Sequence, residues 1–181
     1  MNFIEIYDDA LSSEKCDELI DYFNNNPKMK GVVGGNMVVP SKKKSTELKN
    51  SVFSLHQLPF QLISSTLQEY TDKYVKKYSL LKHMEKWGVD DGFTLKKFEG
   101  EDEGFKSWHT EHCMTFPKRL LVWMFYLNDA HSGTEFRYYP NIESKKGRLV
   151  IWPAGWTHFH KGVTPNKGIK YIMSGWYSLM K

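Results

Sequence analysis

Two short segments concentrate the residues best suited to chemistry, Trp108-His109-Thr110-Glu111-His112 and Trp156-Thr157-His158-Phe159-His160. If the first is extended, His109 and Glu111 project from one face while Thr110 and His112 face the other way. A histidine from the second segment, His158 or His160, would then complete a set of two imidazoles and one carboxylate. On one face of an octahedron that set suits non-heme Fe(II), because positions remain open for substrate and O2. Zinc takes the same donors but more often closes a four-coordinate shell. A His-X-Glu pair alone is commonly surface decoration, so its meaning depends on the rest of the chain.

Lys170 is the residue that adds to it. In the strand-like run from Ile169 to Tyr177, a period of two places Lys170 on one face with Ile172, Ser174 and Trp176, which carries its ammonium inward. Burying an ammonium without an anion is costly. Glu135 is a structural candidate for that anion, and the carboxylate of a bound ligand is the functional one.

The elements that must position these residues follow from pattern. After a short strand-like start at Phe3, Ile4 and Ile6, Ser12 and Ser13 offer an N-cap, and Cys16, Leu19, Ile20 and Phe23 form one apolar helical stripe. This helix should stop at Asn24-Asn25-Asn26-Pro27. A second helix is expected from Pro59 to about Tyr78, with Phe60, Ile63, Leu67, Tyr70, Tyr74 and Tyr78 recurring on one face and Gln68, Lys73 and Lys77 on the other. Residues 31–57, with their Gly, Pro and Lys clusters, read as loop or hairpin. From Phe93 onward the pattern changes to short strands at 93–98, 120–127, 148–152 and 169–177, separated by turn signals. Helices followed by strands predict an α+β fold in one domain, with residues 1–90 as helical support and 91–181 as a catalytic β core.

Composition narrows the class. Of 25 basic residues only Arg119, Arg137 and Arg148 are arginines, and the formal net charge is +4. Scattered lysine more often solvates a surface than reads nucleic acid, which favours arginine forks. The dense run Lys42-Lys43-Lys44, in an apparent loop after Gly34-Gly35 and Pro40, is the one polyanion-binding candidate. The longest nearly apolar stretch, Leu120 to Leu127, is too short to span a membrane, and the N-terminus lacks a basic segment followed by an apolar one. A cytoplasmic protein with no membrane association is therefore expected. Two cysteines, Cys16 and Cys113, make no disulfide framework and are expected as buried or half-buried thiols in a reducing compartment.

Residues 93–177 resemble the Fe(II)- and 2-oxoglutarate-dependent oxygenases, in particular the prolyl 4-hydroxylase-like branch of bacteria and phages. The resemblance lies in an ordered series of segments: FTLKKF at 93–98, WHTEH at 108–112, RLLVWMFYLND at 119–129, SGTEF at 132–136, KKGRLVIWP at 145–153, and THFHKGVTPNKGIKYIMSGWY at 157–177. It implies a double-stranded β-helix, the cupin-like jelly-roll core, with N-terminal helices packed on one sheet. In this family the distal iron ligand is a histidine ten residues before the basic residue that pairs with the distal carboxylate of 2-oxoglutarate, and counting back from Lys170 selects His160 over His158.

By the same resemblance His109, Glu111 and His160 form the catalytic metal site, and Lys170 binds the 2-oxoglutarate C5 carboxylate. Tyr126 and Thr134 lie in segments that line the cosubstrate pocket, while Val122 stands where relatives often carry a threonine. Trp108, Trp156 and Phe159 would supply an apolar wall. The implied cofactors are Fe(II), 2-oxoglutarate and O2, with ascorbate as a further candidate. The implied reaction hydroxylates a C–H bond, a peptidyl proline being the first choice, as 2-oxoglutarate is decarboxylated to succinate and CO2. The implied partners are 2-oxoglutarate and a protein or peptide substrate.

Two positions depart from the family pattern. Glu111 stands where aspartate is usual, and Phe98 stands near the place of a tyrosine that contacts 2-oxoglutarate, without its hydroxyl. Two other readings compete: a cupin-like metal-binding isomerase or sensor, which leaves Lys170 unexplained, and a lysine-rich polyanion-binding module centred on Lys42 to Lys44. A nucleic-acid demethylase of the same superfamily is disfavoured, because lysine replaces the arginine that such enzymes direct at 2-oxoglutarate.

Overall fold

In the computed structural model, the described residues are 1–33, 36–51 and 58–180. Gly34, Gly35 and residues 52–57, part of the stretch read as loop or hairpin, lie outside them. In chain order the elements are β1 (Glu5–Tyr7), α1 (Ser13–Asn25), β2 (Met29–Lys30), β3 (Lys43–Lys44), β4 (Thr46–Ser51), α2 (Phe60–Lys77), β5 (Trp87–Glu99), β6 (Gly104–Phe105), β7 (Arg119–Tyr126), β8 (Ala130–Phe136), β9 (Ile142–Ser144), β10 (Leu149–Pro153), β11 (His160–Val163) and β12 (Ile169–Leu179). Short 3-10 turns occupy Ser79–His83 and Trp156–His158.

Both helices form where pattern and capping place them. The Ser12 side chain accepts from the Lys15 amide, Glu14 lies in the first turn, and Asn26 ends α1. Pro59 precedes α2, which buries Phe60, Ile63, Leu67 and Tyr74 and exposes Gln68, Lys73 and Lys77. Among the described residues no helix is long and apolar enough to cross a membrane.

The strands form an antiparallel seven-stranded sheet in the order β1-β10-β7-β12-β5-β4-β2, a three-stranded sheet β11-β8-β9, and a small β3-β6 pair. The large sheet is buried on both faces. Along β7, Leu121, Trp123 and Phe125 point to the helices and pack with Cys16, Leu19, Phe23, Ile63, Leu67 and Tyr74. Their neighbours Val122, Met124 and Tyr126 point the other way, into a second core with Phe98, Phe136, Ile142, Trp152 and Ile172 that lies between the two sheets. Strict alternation thus assigns successive residues to different cores, which is why β7 reads as an uninterrupted apolar run. Two facing antiparallel sheets with helices on the outer face of the larger one make a double-stranded β-helix.

Several expectations are corrected. The N-terminal region is more than helical support, because β1, β2 and β4 all join the large sheet. Strands also form at 130–136 and 160–163, where Gly133 and Gly162 interrupt the alternation that would mark them in the sequence. Lys42-Lys43-Lys44 is no solvated loop: Lys43 and Lys44 form β3, Lys43 is buried against Glu47 at 2.6 Å, and Lys44 pairs with Asp102 at 2.7 Å. Ion pairing therefore removes most of the charge that a polyanion would need. Cys16 is buried as expected, but Cys113 is exposed.

Replacing Ile63, which is fully buried beneath the sheet, by alanine removes contacts that the helix cannot remake by collapsing. Ile63→Ala should lower the unfolding free energy by about 2–5 kcal/mol, measured as a reduced midpoint in urea denaturation.

Candidate active site

The segment carrying His109 and Glu111 is not a strand. Its shape comes from two backbone anchors. His109 and His160 exchange backbone hydrogen bonds of 3.0 Å in both directions, forming an isolated antiparallel bridge. The carbonyl of Ala154, just beyond β10, accepts from the amides of Glu111 and His112 at 3.2 and 3.0 Å and from the Thr110 hydroxyl at 2.6 Å. These bonds hold 109–112 across the mouth of the two-sheet sandwich.

The ligating atoms of His109, Glu111 and His160 all lie within 4.8 Å of one another. Each imidazole is oriented by its own backbone neighbourhood: Nδ1 of His109 is 3.0 Å from the Ser107 carbonyl and Nδ1 of His160 is 2.9 Å from the His158 carbonyl. A carbonyl only accepts, so both Nδ1 atoms carry the proton and both Nε2 lone pairs are free. Nε2 of His109 and of His160 lie 3.5 and 3.6 Å from Glu111 Oε1, too long for good hydrogen bonds and arranged about a common point. Phe105 stacks on the His109 ring at 3.6 Å, and Trp152 meets the His160 ring edge-on at 5.3 Å.

The other oxygen of Glu111 is held from outside. Oε2 accepts from Arg119 Nη1 at 3.2 Å and from Trp176 Nε1 at 3.0 Å, and the Arg119 guanidinium lies between the rings of Phe116 and Trp176 at 3.7 and 3.5 Å. The extra methylene of glutamate is thereby accommodated, with one oxygen clamped and one free. Burial opposes ionisation of Glu111, but the imidazoles of His109 and His160, whenever they are protonated at Nε2, outweigh that and hold its carboxyl well below the usual range. Burial, reinforced by nearby His160, lowers the pKa of His109 and favours the neutral ligating form. Two oriented imidazoles and a carboxylate fit a divalent cation such as Fe(II).

The same cleft is lined by Lys96, Phe98, Phe105, Val122, Met124, Tyr126, Thr134, Trp152, Lys170, Ile172 and Ser174. Lys170, 2% exposed, donates to the carbonyls of Gly133 and Val163 at 3.1 and 2.7 Å. Burial pushes its pKa down to about 7. Glu135 is not its partner, since it pairs with Lys161 at 3.1 Å. A Cβ on Gly133 would lie 2.0 Å from the Ile142 carbonyl, so glycine is what lets β8 approach β9 at this point. Tyr126 and Thr134 share a 2.6 Å hydroxyl hydrogen bond on the cleft wall.

His158 is engaged elsewhere. Its Nε2 lies 2.8 Å from the Asn2 carbonyl, its Nδ1 is 2.9 Å from the Thr157 hydroxyl, and its ring stacks on Tyr139. Trp156 is 74% exposed, and neither it nor Trp108 nor Phe159 lines the cleft; the apolar wall comes from Phe98, Phe105, Met124 and Trp152. Sequence reasoning overlooked Arg119 and Lys96. The signals were present: Arg119 is one of three arginines, and in FTLKKF Lys96 shares the inward parity of Phe98.

Fold and site together define a metal-dependent enzyme built on a double-stranded β-helix. Residues 93–178 match the 2OG-Fe(II) oxygenase superfamily, so the β core is that of a 2OG-Fe(II) oxygenase, with Fe(II), 2-oxoglutarate and O2 as its cofactors. No curated protein sequence matches the chain. Among solved structures, the viral collagen prolyl hydroxylase of Paramecium bursaria Chlorella virus-1, in its 2OG complex, is similar with a TM-score of 0.72 at 18% identity, over 99% of this chain and 97% of that one. A prolyl hydroxylase from Trichoplax adhaerens, in complex with a hypoxia inducible factor oxygen degradation domain peptide fragment, has a TM-score of 0.76 at 13% identity, covering 99% and 84%. A Pseudomonas putida prolyl-4-hydroxylase has a TM-score of 0.71 at 10% identity, covering 100% and 95%. At these identities the likeness is one of fold.

The different surroundings of the two histidines separate them experimentally. His160→Ala should abolish Co(II) or Fe(II) binding in calorimetric titration, while His158→Ala should retain it; the reverse pattern would identify His158 as the ligand.

Proposed function

We propose that the chain is a 2-oxoglutarate-dependent hydroxylase of a peptide or protein substrate, a prolyl residue being the first candidate, with His109, Glu111 and His160 holding the metal and Lys170 holding the cosubstrate's distal carboxylate. Lys170 carries the reading. It is a buried ammonium supplied with two carbonyl acceptors and, among the described residues, no carboxylate, and it lines the same cleft as the three ligating side chains. An ammonium in this setting favours an anion strongly. A cupin-like isomerase or sensor gives it no role.

Bound iron would supply activation of O2, coupling oxidative decarboxylation of 2-oxoglutarate to hydroxylation of a C–H bond. The protein's residues prepare that chemistry. His109 and His160 present Nε2 because their Nδ1 protons are committed to carbonyls. Arg119 and Trp176 fix one oxygen of Glu111 and leave the other to ligate. Lys170 sets the direction in which a dicarboxylate enters, with the Tyr126 and Thr134 hydroxyls on the wall beside it. Phe98, Phe105, Met124 and Trp152 keep the cleft apolar and limit water around the reacting centre. A peptide substrate is supported by the fold shared with the Trichoplax enzyme, whose complex contains a peptide.

Two measurements test this reading. Fe(II) and 2-oxoglutarate added anaerobically should produce a weak visible charge-transfer band, and air should then yield succinate at a rate increased by a proline-containing peptide; absence of both band and succinate would refute it. Lys170 is charged below about pH 7, and above that pH ligand binding must restore its proton. The Kd for 2-oxoglutarate should therefore rise by up to about tenfold per unit as pH increases above 7, and Lys170→Met should bind weakly with little pH dependence.

A further inference from the structure

Lys43, Lys96 and Arg119 lie near Glu47 and Glu111 at the metal end of the cleft, with Asp90 beside Arg119 at 3.9 Å. Lys43 is matched by Glu47 at 2.6 Å and Arg119 by Glu111 at 3.2 Å. Lys96 is left over. Its Nζ donates to Ser174 Oγ at 2.8 Å and lies 6.0 Å from the Trp176 ring centre. Among the described residues no carboxylate lies within ion-pairing distance of it. An ammonium has three donors, so Ser174 leaves spare hydrogen-bonding capacity facing the cleft.

Register separates Lys96 from Lys170. Lys96 sits opposite Ile172, and its ammonium reaches Ser174, two residues before the tryptophan that holds Glu111. Lys170 lies two residues to the other side of Ile172 and reaches away, to Gly133 and Val163. The two lysines therefore mark opposite ends of one cleft. The wall residue in register with Lys170 is Phe98, which offers no donor.

We propose that Lys96 is a second anion-binding residue of this cleft, placed to take a carboxylate at its metal end. The proposal rests on the oxygenase reading, which supplies both the metal and a dicarboxylate. Burial, with Lys43 and Arg119 nearby, disfavours the bare ammonium and holds its pKa down to about 8, a cost that an incoming anion relieves. The carboxylate has two possible sources, the metal-end carboxylate of 2-oxoglutarate or an acidic group of the prime substrate.

Co(II)-loaded protein, which binds without turning over, distinguishes them through its visible spectrum. If 2-oxoglutarate is the source, Lys96→Met should weaken both 2-oxoglutarate and oxalate by about 10- to 100-fold, as expected for loss of a charged hydrogen bond. Lys170→Met should weaken only 2-oxoglutarate, since oxalate has no distal arm. If the substrate is the source, 2-oxoglutarate and oxalate should be unaffected by Lys96→Met, while acetate added to the Co(II)–2-oxoglutarate complex should perturb the spectrum of the parent protein and not of the variant. Lys96→Arg, which keeps the charge, should retain most of either effect and controls for misfolding. A Lys96→Met protein equal to the parent with all three probes overturns the assignment. A parent protein that binds no 2-oxoglutarate would instead overturn the oxygenase reading.

Discussion

The large sheet is apolar on both faces, and neither face is stable in water. Leu121, Trp123 and Phe125 need the helices, while Val122, Met124 and Trp152 need a second sheet. Each fully buried side chain of this kind contributes about 1.5–3 kcal/mol, so leaving either face open would outweigh the net stability of a domain this size. The three-stranded sheet β11-β8-β9 supplies the second cover but is shorter and narrower than the sheet it faces. The cleft lies in the space between the two sheets, whose remaining lining includes the polar residues.

Charge in that space is organised by backbone as much as by side chains. Carbonyls of Ser107 and His158 set the two imidazole tautomers, and those of Gly133 and Val163 receive Lys170. Carbonyls attract a cation without neutralising it, so the ammonium stays available to a ligand. Glu111 is treated differently: a full positive charge, Arg119, meets one of its oxygens, and aromatic rings on both faces of the guanidinium hold that charge in place. The carboxylate is longer than the usual aspartate, and this clamp removes the freedom that its extra bond would bring.

The two segments that carry the candidate ligands are 51 positions apart, from His109 to His160, and no local pattern joins them. A pair of mutual backbone hydrogen bonds does so. Because the bond pair fixes both main chains and each Nδ1 is tied to a carbonyl two residues back in its own segment, ring orientation follows from backbone position. This explains why His158, only two residues from His160, stays outside the cluster: the 3-10 turn at Trp156–His158 directs it away from the cleft to Tyr139 and Asn2, where it is buried.

Much was legible without coordinates. Helical periodicity located α1 and α2, short apolar runs between turn signals located β5, β7, β10 and β12, and the inward parity of Lys170 followed from a period of two, because these signals are local. The spacing of ten between His160 and Lys170 carried the choice of histidine through family resemblance. Tertiary structure alone decided the rest. Extended geometry in WHTEH was the wrong reason for placing His109 and Glu111 together; long-range bonds from Ala154 and His160 shape that segment. Lys43 reads in the sequence as part of a polyanion-binding run, and Lys96 and Arg119 carry no local sign of a role, yet Lys43 is neutralised in the interior, Lys96 faces the cleft without a direct carboxylate partner and Arg119 clamps Glu111. A sequence states that a cation is present, but its role depends on which anion the fold brings within reach, and that is settled only when strands distant in the chain come into register.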